Sequence, residues 1–309
     1  MPTRTLLPLA AVTLIWGTTW YVIKTQLGVV PAPWSVAYRF ILAAAIMFVV
    51  AKLRGRSLAF PLPAHGFFLV LGLFQFFGNF NFVYQASRFV TSGLIAVAFA
   101  LLVVPNAALA RLLYGHGVTP RFMLGSAFGI VGVALLFRQE IMAMSGSEGL
   151  AAGLVATVLG VLCASAANVM QAGPRARGYA MTPMLAWAML YGALLDVAVA
   201  WTVAGPPVIE TTPVYLGGVA YLSAFASATA FVLYFNVIRQ IGAAKAAYSG
   251  VMVPFVAMAI STVLEDYRWT APAILGAILT LTGLVLALGA RAAPSSAVPP
   301  AAGTSSAKP

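Results

Sequence analysis

Arg39 and Asp196 are the ionisable residues whose positions first ask for an explanation, because each lies inside an apolar run more than a dozen residues from the next charge. A buried arginine can receive a carboxylate through two parallel hydrogen bonds, and a buried aspartate can hold an amine or a proton. Together they would suit a zwitterion; the competing expectation is that they pair with each other or reach toward water. A second set lies in "GLFQFFGNFNFVYQASR", residues 72–88, where Gln75, Asn79, Asn81 and Gln85 alternate with aromatic rings. At 100° per residue these amides and Gly78 share one arc of a helix, of about 160°, and Phe76, Phe80 and Val83 occupy the other side. The expectation is that Phe76 and Phe80 face lipid while the amides face neighbouring helices or a wet cavity. A third set comprises Thr13, Trp16 and Trp20, spaced i, i+3 and i+7 so that both indoles share one face. With Phe82, Asn168, Tyr234 and Tyr248 these residues suit a pocket that stacks an apolar body on Trp16, Trp20 and nearby rings. Gln75, Asn79 and the other polar groups would take its polar ends.

Other chemistries lack their residues. No GxxxxGK[ST] phosphate loop is present, so direct use of ATP is not expected. His65, His116 and Cys163 have no ligand-spaced companions, and no Ser/His/Asp set can be assembled at one depth. No cofactor, no metal and no enzymatic activity are expected, and the single cysteine permits no intramolecular disulfide.

The elements that must position these residues follow from composition. Of 309 residues 62% are hydrophobic and 7% charged, with a mean hydropathy of +0.98, far from the roughly 25% charged residues of a soluble domain. A spanning helix needs about 20 apolar residues. Runs of that kind lie near 6–23, 34–51, 66–86, 91–113, 121–138, 149–172, 183–204, 213–237, 243–264 and 270–290. Segments such as "LAAAIMFVVA" do not alternate in polarity as barrel strands would, so the class is an all-α membrane protein.

The formal net charge of +11 is a matter of placement. With the N-terminus in the cytoplasm, Lys52, Arg54, Arg56, Arg111, Arg175 and Arg177 are among twelve basic residues on the inner side, against Lys24, Arg88, Arg138 and Arg268 outside. That bias over short loops is the positive-inside pattern; it predicts both termini in the cytoplasm of a multi-pass protein of the bacterial inner membrane, and no nucleic-acid partner. The first apolar run is read as a retained helix, since it lacks a small-residue cleavage site. Residues 291–309, rich in Pro, Ala and Ser, read as a disordered cytoplasmic tail.

The halves resemble each other at an offset of about 151 residues: Arg88 falls on Arg239, Thr119 on Thr270, Gly125 on Gly276 and Gly132 on Gly283. Pro105 and Pro254 match after a slip of two residues, and both would serve as kinks or hinges. Five helices per half, residues 1–143 and 144–290, invert the second copy, giving ten transmembrane helices as a 5+5 inverted repeat. The stretches "LIWGTTWYVIK", "YRFILAAAIMFV" and "IGAAKAAYSGVMVPFVAMAISTVLEDYRWT" resemble the EamA-type members of the drug/metabolite transporter superfamily. That resemblance implies the inverted repeat, cytoplasmic termini and export of small metabolites, with exporters of aromatic and other neutral amino acids as its best-known branch. Many members carry a Gly-Glu pair after the fourth and ninth helices; here the positions read Gly115-His116 and Glu265-Asp266. Lipophilic drug efflux, metabolite uptake and a non-transporting lipid-binding scaffold are the other readings. Expected partners are a small-molecule substrate and membrane lipid, with the chain a monomer or homodimer.

Overall fold

The computed structural model describes residues 3–115, 119–136, 138, 142, 148–241 and 248–288. Every regular element among them is helical. The long helices are α1 (Thr3–Lys24), α2 (Ala32–Leu53), α3 (Leu62–Ala86), α4 (Ser92–Tyr114) and α5 (Pro120–Leu136). They continue as α6 (Glu148–Ala172), α7 (Met181–Ala204), α8 (213–241), α9 (Tyr248–Leu264) and α10 (Ala271–Leu288). Residues 289–309, the C-terminal tail of the sequence reading, lie outside the described residues.

Local chemistry sets the ends. Pro33 and Pro63 sit in the first turns of α2 and α3, where the missing N–H costs nothing. Thr212 precedes α8 and accepts from the Tyr215 N–H at 3.4 Å. Gly115 closes α4 at φ 69°, a left-handed conformation that a Cβ would strain.

Six of the described helices are long and apolar enough to cross a membrane, and α5, α10 and most of α9 are shorter apolar helices. Exposed Leu112, Val203 and Val263 on their surfaces match a lipid solvent rather than water. The chain is an integral, multi-pass membrane protein.

Packing follows a regular scheme. α2 lies on α7, α4 on α9 and α5 on α10. The α1–α9 contact has its counterpart in α6–α4, the α3–α6 contact in α8–α1, and the α3–α7 contact in α8–α2. The α5–α10 seam brings backbone close to backbone. A Cβ on Gly125 would lie 2.5 Å from the Gly283 carbonyl, and one on Gly132 would lie 2.6 Å from the Gly276 carbonyl. Gly125 and Gly276 occupy one position at the 151-residue offset, and Gly132 and Gly283 another, so the two contacts exchange under it.

Two features depart from a regular helical wheel. α3 contains an i→i+5 turn over Leu73–Gly78, and α8 contains one over Leu222–Thr229, ending at offset-equivalent residues. Each such turn inserts about one residue, a rotation of about 100°. The expectation that Phe76 and Phe80 face lipid is therefore corrected: they are 0% and 8% exposed. α3 is wedged between α7 and α6, so both of its faces are covered. The second feature is in α4, which breaks at Leu101–Leu102, where the Pro105 ring would meet the carbonyl four residues earlier. α9, in contrast, runs through Pro254 without interruption.

Candidate functional site

α1 presents Trp16 to α8. Its Nε1 donates to the Ala226 carbonyl at 3.2 Å, inside the widened turn of α8. Its ring lies edge-on to Tyr234 at 4.9 Å and to Phe231 at 5.5 Å. From there the rings continue into the bundle: Phe231 meets Phe76 at 5.5 Å, Phe76 meets Phe40 at 5.2 Å, and Phe40 meets Phe80 at 4.9 Å. Arg39 ends the series, its guanidinium 4.2 Å from the Phe80 centroid.

One turn along α1, Trp20 packs on Phe99 of α4 at 4.9 Å. A Cβ on Gly160 of α6 would lie 3.4 Å from Phe99, 3.4 Å from the Asn79 carbonyl and 3.5 Å from Phe82. Trp20, Phe99, Phe82 and Asn79 thus share one neighbourhood among α1, α3, α4 and α6. Trp20 Nε1, Asn79 Oδ1 and, one turn before Asn79, Gln75 Oε1 are buried there without a hydrogen-bond partner among the described residues; Asn106 Oδ1 on α4 and Ser165 Oγ and Gln171 Nε2 on α6 are likewise unpartnered. Orphaned groups of this kind are uncommon in a packed interior, where each costs about 1–3 kcal/mol. Asn168 is half-buried on α6. Tyr248 opens α9, and its side chain lies outside the described residues.

The amide arc divides. Gln75 and Asn79 stay buried, whereas Asn81 turns to α7 and Gln85 accepts from Arg88 at 3.3 Å near the helix end. Asn81 Nδ2 donates to Asp196 Oδ1 at 2.6 Å and to the Phe77 carbonyl at 2.9 Å. Asn81 therefore joins helices.

Arg39 and Asp196 are both sealed, at 1% and 0% exposure, yet they form no ion pair. Arg39 Nε donates to Ser227 Oγ at 3.0 Å, while its Nη1 and Asp196 Oδ2 have no partner among the described residues. Tyr84, fully buried, lies within electrostatic reach of both. The guanidinium is held by a hydroxyl and a ring, and the carboxylate by an amide; neither charge is held by the other.

A cluster that sequence reading did not assemble closes one end of the bundle. Lys24 Nζ, at the end of α1, lies 2.7 Å from Glu265 Oε1 after α9. Ser92, the first residue of α4, directs its N–H at both Glu265 oxygens, at 3.2 and 3.3 Å, and its hydroxyl also donates to the carboxylate. Burial pushes the Glu265 carboxyl up, but the hydrogen bonds from Lys24 and Ser92, with the Lys24 charge, outweigh it and leave it below the usual 4.5. The signal available in the sequence was opposite charge at the same end of α1 and α9. Phe99 and Phe231 carried none, being apolar residues in apolar runs.

Comparison with known proteins agrees with this architecture. The chain is 25% identical to Protein PagO of Salmonella typhimurium, over 92% of each chain. It is 23% identical to a protein of the same organism named a probable amino-acid metabolite efflux pump, over 89% of this chain and 91% of that one. A protein crystal structure shares the fold with a TM-score of 0.68 at 19% identity, covering 93% of this chain and 98% of its own. The model of the EamA-like transporter family matches residues 4–138 and again 151–289. The chain therefore belongs to the EamA-like transporter family.

Proposed function

We infer that this protein is a secondary transporter that exports small metabolites, chiefly aromatic and other neutral amino acids, across the bacterial inner membrane. The observation that carries this reading is the neighbourhood of Trp20, Phe82, Asn79 and Phe99, where aromatic faces surround buried polar atoms without partners. A ligand with an apolar body and hydrogen-bonding ends suits such a site. The likeness to a protein named an amino-acid metabolite efflux pump supports the substrate class.

The chain works as ten spans in a 5+5 inverted repeat with cytoplasmic termini. The double match of one family model and the glycine contacts that exchange at the 151-residue offset support the repeat. Arg54, Arg56 and Arg175 at one end, and Glu210 and Glu265 at the other, support the orientation. Transport proceeds by alternating access: the Lys24–Glu265–Ser92 cluster closes the outer end, and the break before Pro105 lets the halves of α4 move separately. Arg39, which ends the aromatic series, and Asp196, held by Asn81, are the charge-recognition groups, and Trp16, Gln75, Asn168 and Tyr234 complete the lining. Its partners are the small-molecule substrate and membrane lipid, and the chain acts without a cofactor as a monomer or homodimer.

Reconstitution tests this directly. Purified protein in liposomes is loaded with labelled amino acids, and efflux is followed with and without a proton gradient. Saturable flux of aromatic and neutral amino acids is expected. Flux of a lipophilic cationic dye without any amino-acid flux would replace the reading with drug efflux, and absence of all flux would replace it with a scaffold role.

A further inference from the structure

The cytoplasmic end of the bundle carries a cavity that the lining described above does not include. Its volume is about 430 Å³, and its walls include Arg54, Arg56, Met181, Thr182, Val232 and Asn236. That volume is in the range of small-ligand pockets. The local structure explains why two arginines meet there. Gly55 adopts φ 62°, and the chain closes α2 with Gly55 N–H on Lys52 O and Arg56 N–H on Ala51 O, both at 2.9 Å. This left-handed turn sets Arg54 and Arg56 on either side of the glycine, at the mouth of the cavity.

The facing wall is the start of α7. No side chain caps this helix, so the backbone N–H groups of Met181 and Thr182 remain available, and Pro183 has none. Thr182 is only 8% exposed, lines the cavity and makes no hydrogen bond among the described residues. Asn236 of α8 offers an amide without a partner from the third side. The charges are uncompensated as well. The ion pair among the described residues is Lys24–Glu265, at the other end of the bundle. Of the described acids, Glu148 is the first residue of α6, Glu210 follows α7 and Glu265 and Asp266 follow α9, none of them lining the cavity, and Asp196 lies fourteen residues along α7 from Thr182. The residues that carry two free guanidinium groups, two free backbone donors, a hydroxyl and an amide line a space with no acid among its described lining residues.

We propose that this cavity is a carboxylate-binding vestibule that captures the substrate by its acid group before it passes inward. The proposal rests on the export reading. Arg54 and Arg56 receive the carboxylate, the α7 N-terminus and Thr182 orient it, and Met181 and Val232 cover the apolar body. The vestibule gives specificity by charge: substrates with a carboxylate are concentrated at the inner mouth, and cationic amphiphiles are repelled from it.

The test uses the full chain in nanodiscs of phosphatidylcholine, with phenylacetate and its neutral amide, phenylacetamide, as probes for calorimetry. Phenylacetate binding should weaken about tenfold in the Arg54→Gln/Arg56→Gln variant and severalfold in Thr182→Val, while the Arg54→Lys/Arg56→Lys variant retains part of it. Phenylacetamide binding should not change. In liposomes the glutamine variant should raise KM for amino acids and leave kcat unaltered. Equal phenylacetate affinity in the wild type and the glutamine variant would overturn the proposal, as would an equal loss for the amide. Loss of phenylacetate binding when phosphatidylglycerol is added would assign the site to a lipid headgroup and overturn it also. If the binding pattern holds while the wild type moves no amino acid, the vestibule stands and the export reading fails.

Discussion

Glu265→Gln isolates the cluster that closes one end of the bundle. The substitution keeps shape and one carbonyl acceptor but removes the charge that Lys24 meets at 2.7 Å and that the Ser92 N–H meets at 3.2 and 3.3 Å. Lys24 is 36% exposed, so it recovers hydration and its share is small, about 0–1 kcal/mol. The Ser92 N–H and hydroxyl lose an ionised acceptor; bonds to charged groups contribute about 1.5–3 kcal/mol, and the glutamine carbonyl retains about half. The closed form should lose about 1.5–3 kcal/mol, so the opened population should rise about ten- to a hundredfold. A Phe99→Cys probe in a Cys163→Ala background lies beneath the cluster, and its labelling by an impermeant maleimide, divided at each pH by that of the denatured chain to remove the change in thiolate fraction, reports that population. The pH dependence has a fixed sign. Because the Glu265 carboxyl is held below 4.5, its contribution is complete above that value and is lost as the pH falls through its lowered pKa. Labelling of the otherwise wild-type chain should therefore rise only on the acid side of 4.5, and the glutamine variant should be flat there. Unchanged labelling in the glutamine variant, or a wild-type rise near neutral pH, would refute the reasoning.

Four further outcomes follow from the geometry. Gly132→Ala and Gly276→Ala each force the α5–α10 seam apart against backbone at about 2.5 to 2.6 Å, so each should cost about 1–3 kcal/mol in detergent melts. The double variant should cost much less than their sum, since one displacement relieves both; full additivity would contradict the shared contact. Arg39→Ala removes a charged hydrogen bond to Ser227 and a desolvated ring contact with Phe80, an expected loss of about 3 kcal/mol. Because these charges are not paired, the reversed pair Arg39→Asp with Asp196→Arg should fail to restore flux, and full rescue would show that they act on each other. Trp16→Phe keeps a ring against Phe231 and Tyr234 but loses the bond to the Ala226 carbonyl. KM for aromatic substrates should rise severalfold while small neutral amino acids are little affected, and an equal change for both would remove Trp16 from the lining.

The apolar runs were legible because lipid demands length and hydropathy, and 34–51 and 183–204 fall inside α2 and α7. The glycine pattern was legible because a close seam tolerates few residue types. Rotation about the helix axis was not. A wheel at 100° per residue assumes an unbroken i→i+4 ladder, and the widened turn over Leu73–Gly78 carries no residue signature that a single sequence exposes. Phe76 and Phe80 were misplaced for that reason, and Asn81 was grouped with Asn79 although it serves Asp196. The ring neighbours of Trp16 and Trp20 were invisible for another reason: Phe231 and Phe99 lie 215 and 79 residues away along the chain, and nothing in an apolar run states its partner.

The seam between α5 and α10 limits how the molecule can change shape. Gly125 and Gly132 meet Gly283 and Gly276 backbone to backbone, and the Thr280 hydroxyl that also touches Gly132 is itself held to the Gly276 carbonyl at 2.8 Å. Such a joint has one tight position and no soft neighbour, so it behaves as a rigid spine. The deformation needed to open either mouth must be borne elsewhere, by the widened turns of α3 and α8 and the break in α4. Labels placed on α5 and α10 should keep their separation through the whole cycle, and they supply the fixed ruler against which movement of the other helices can be measured.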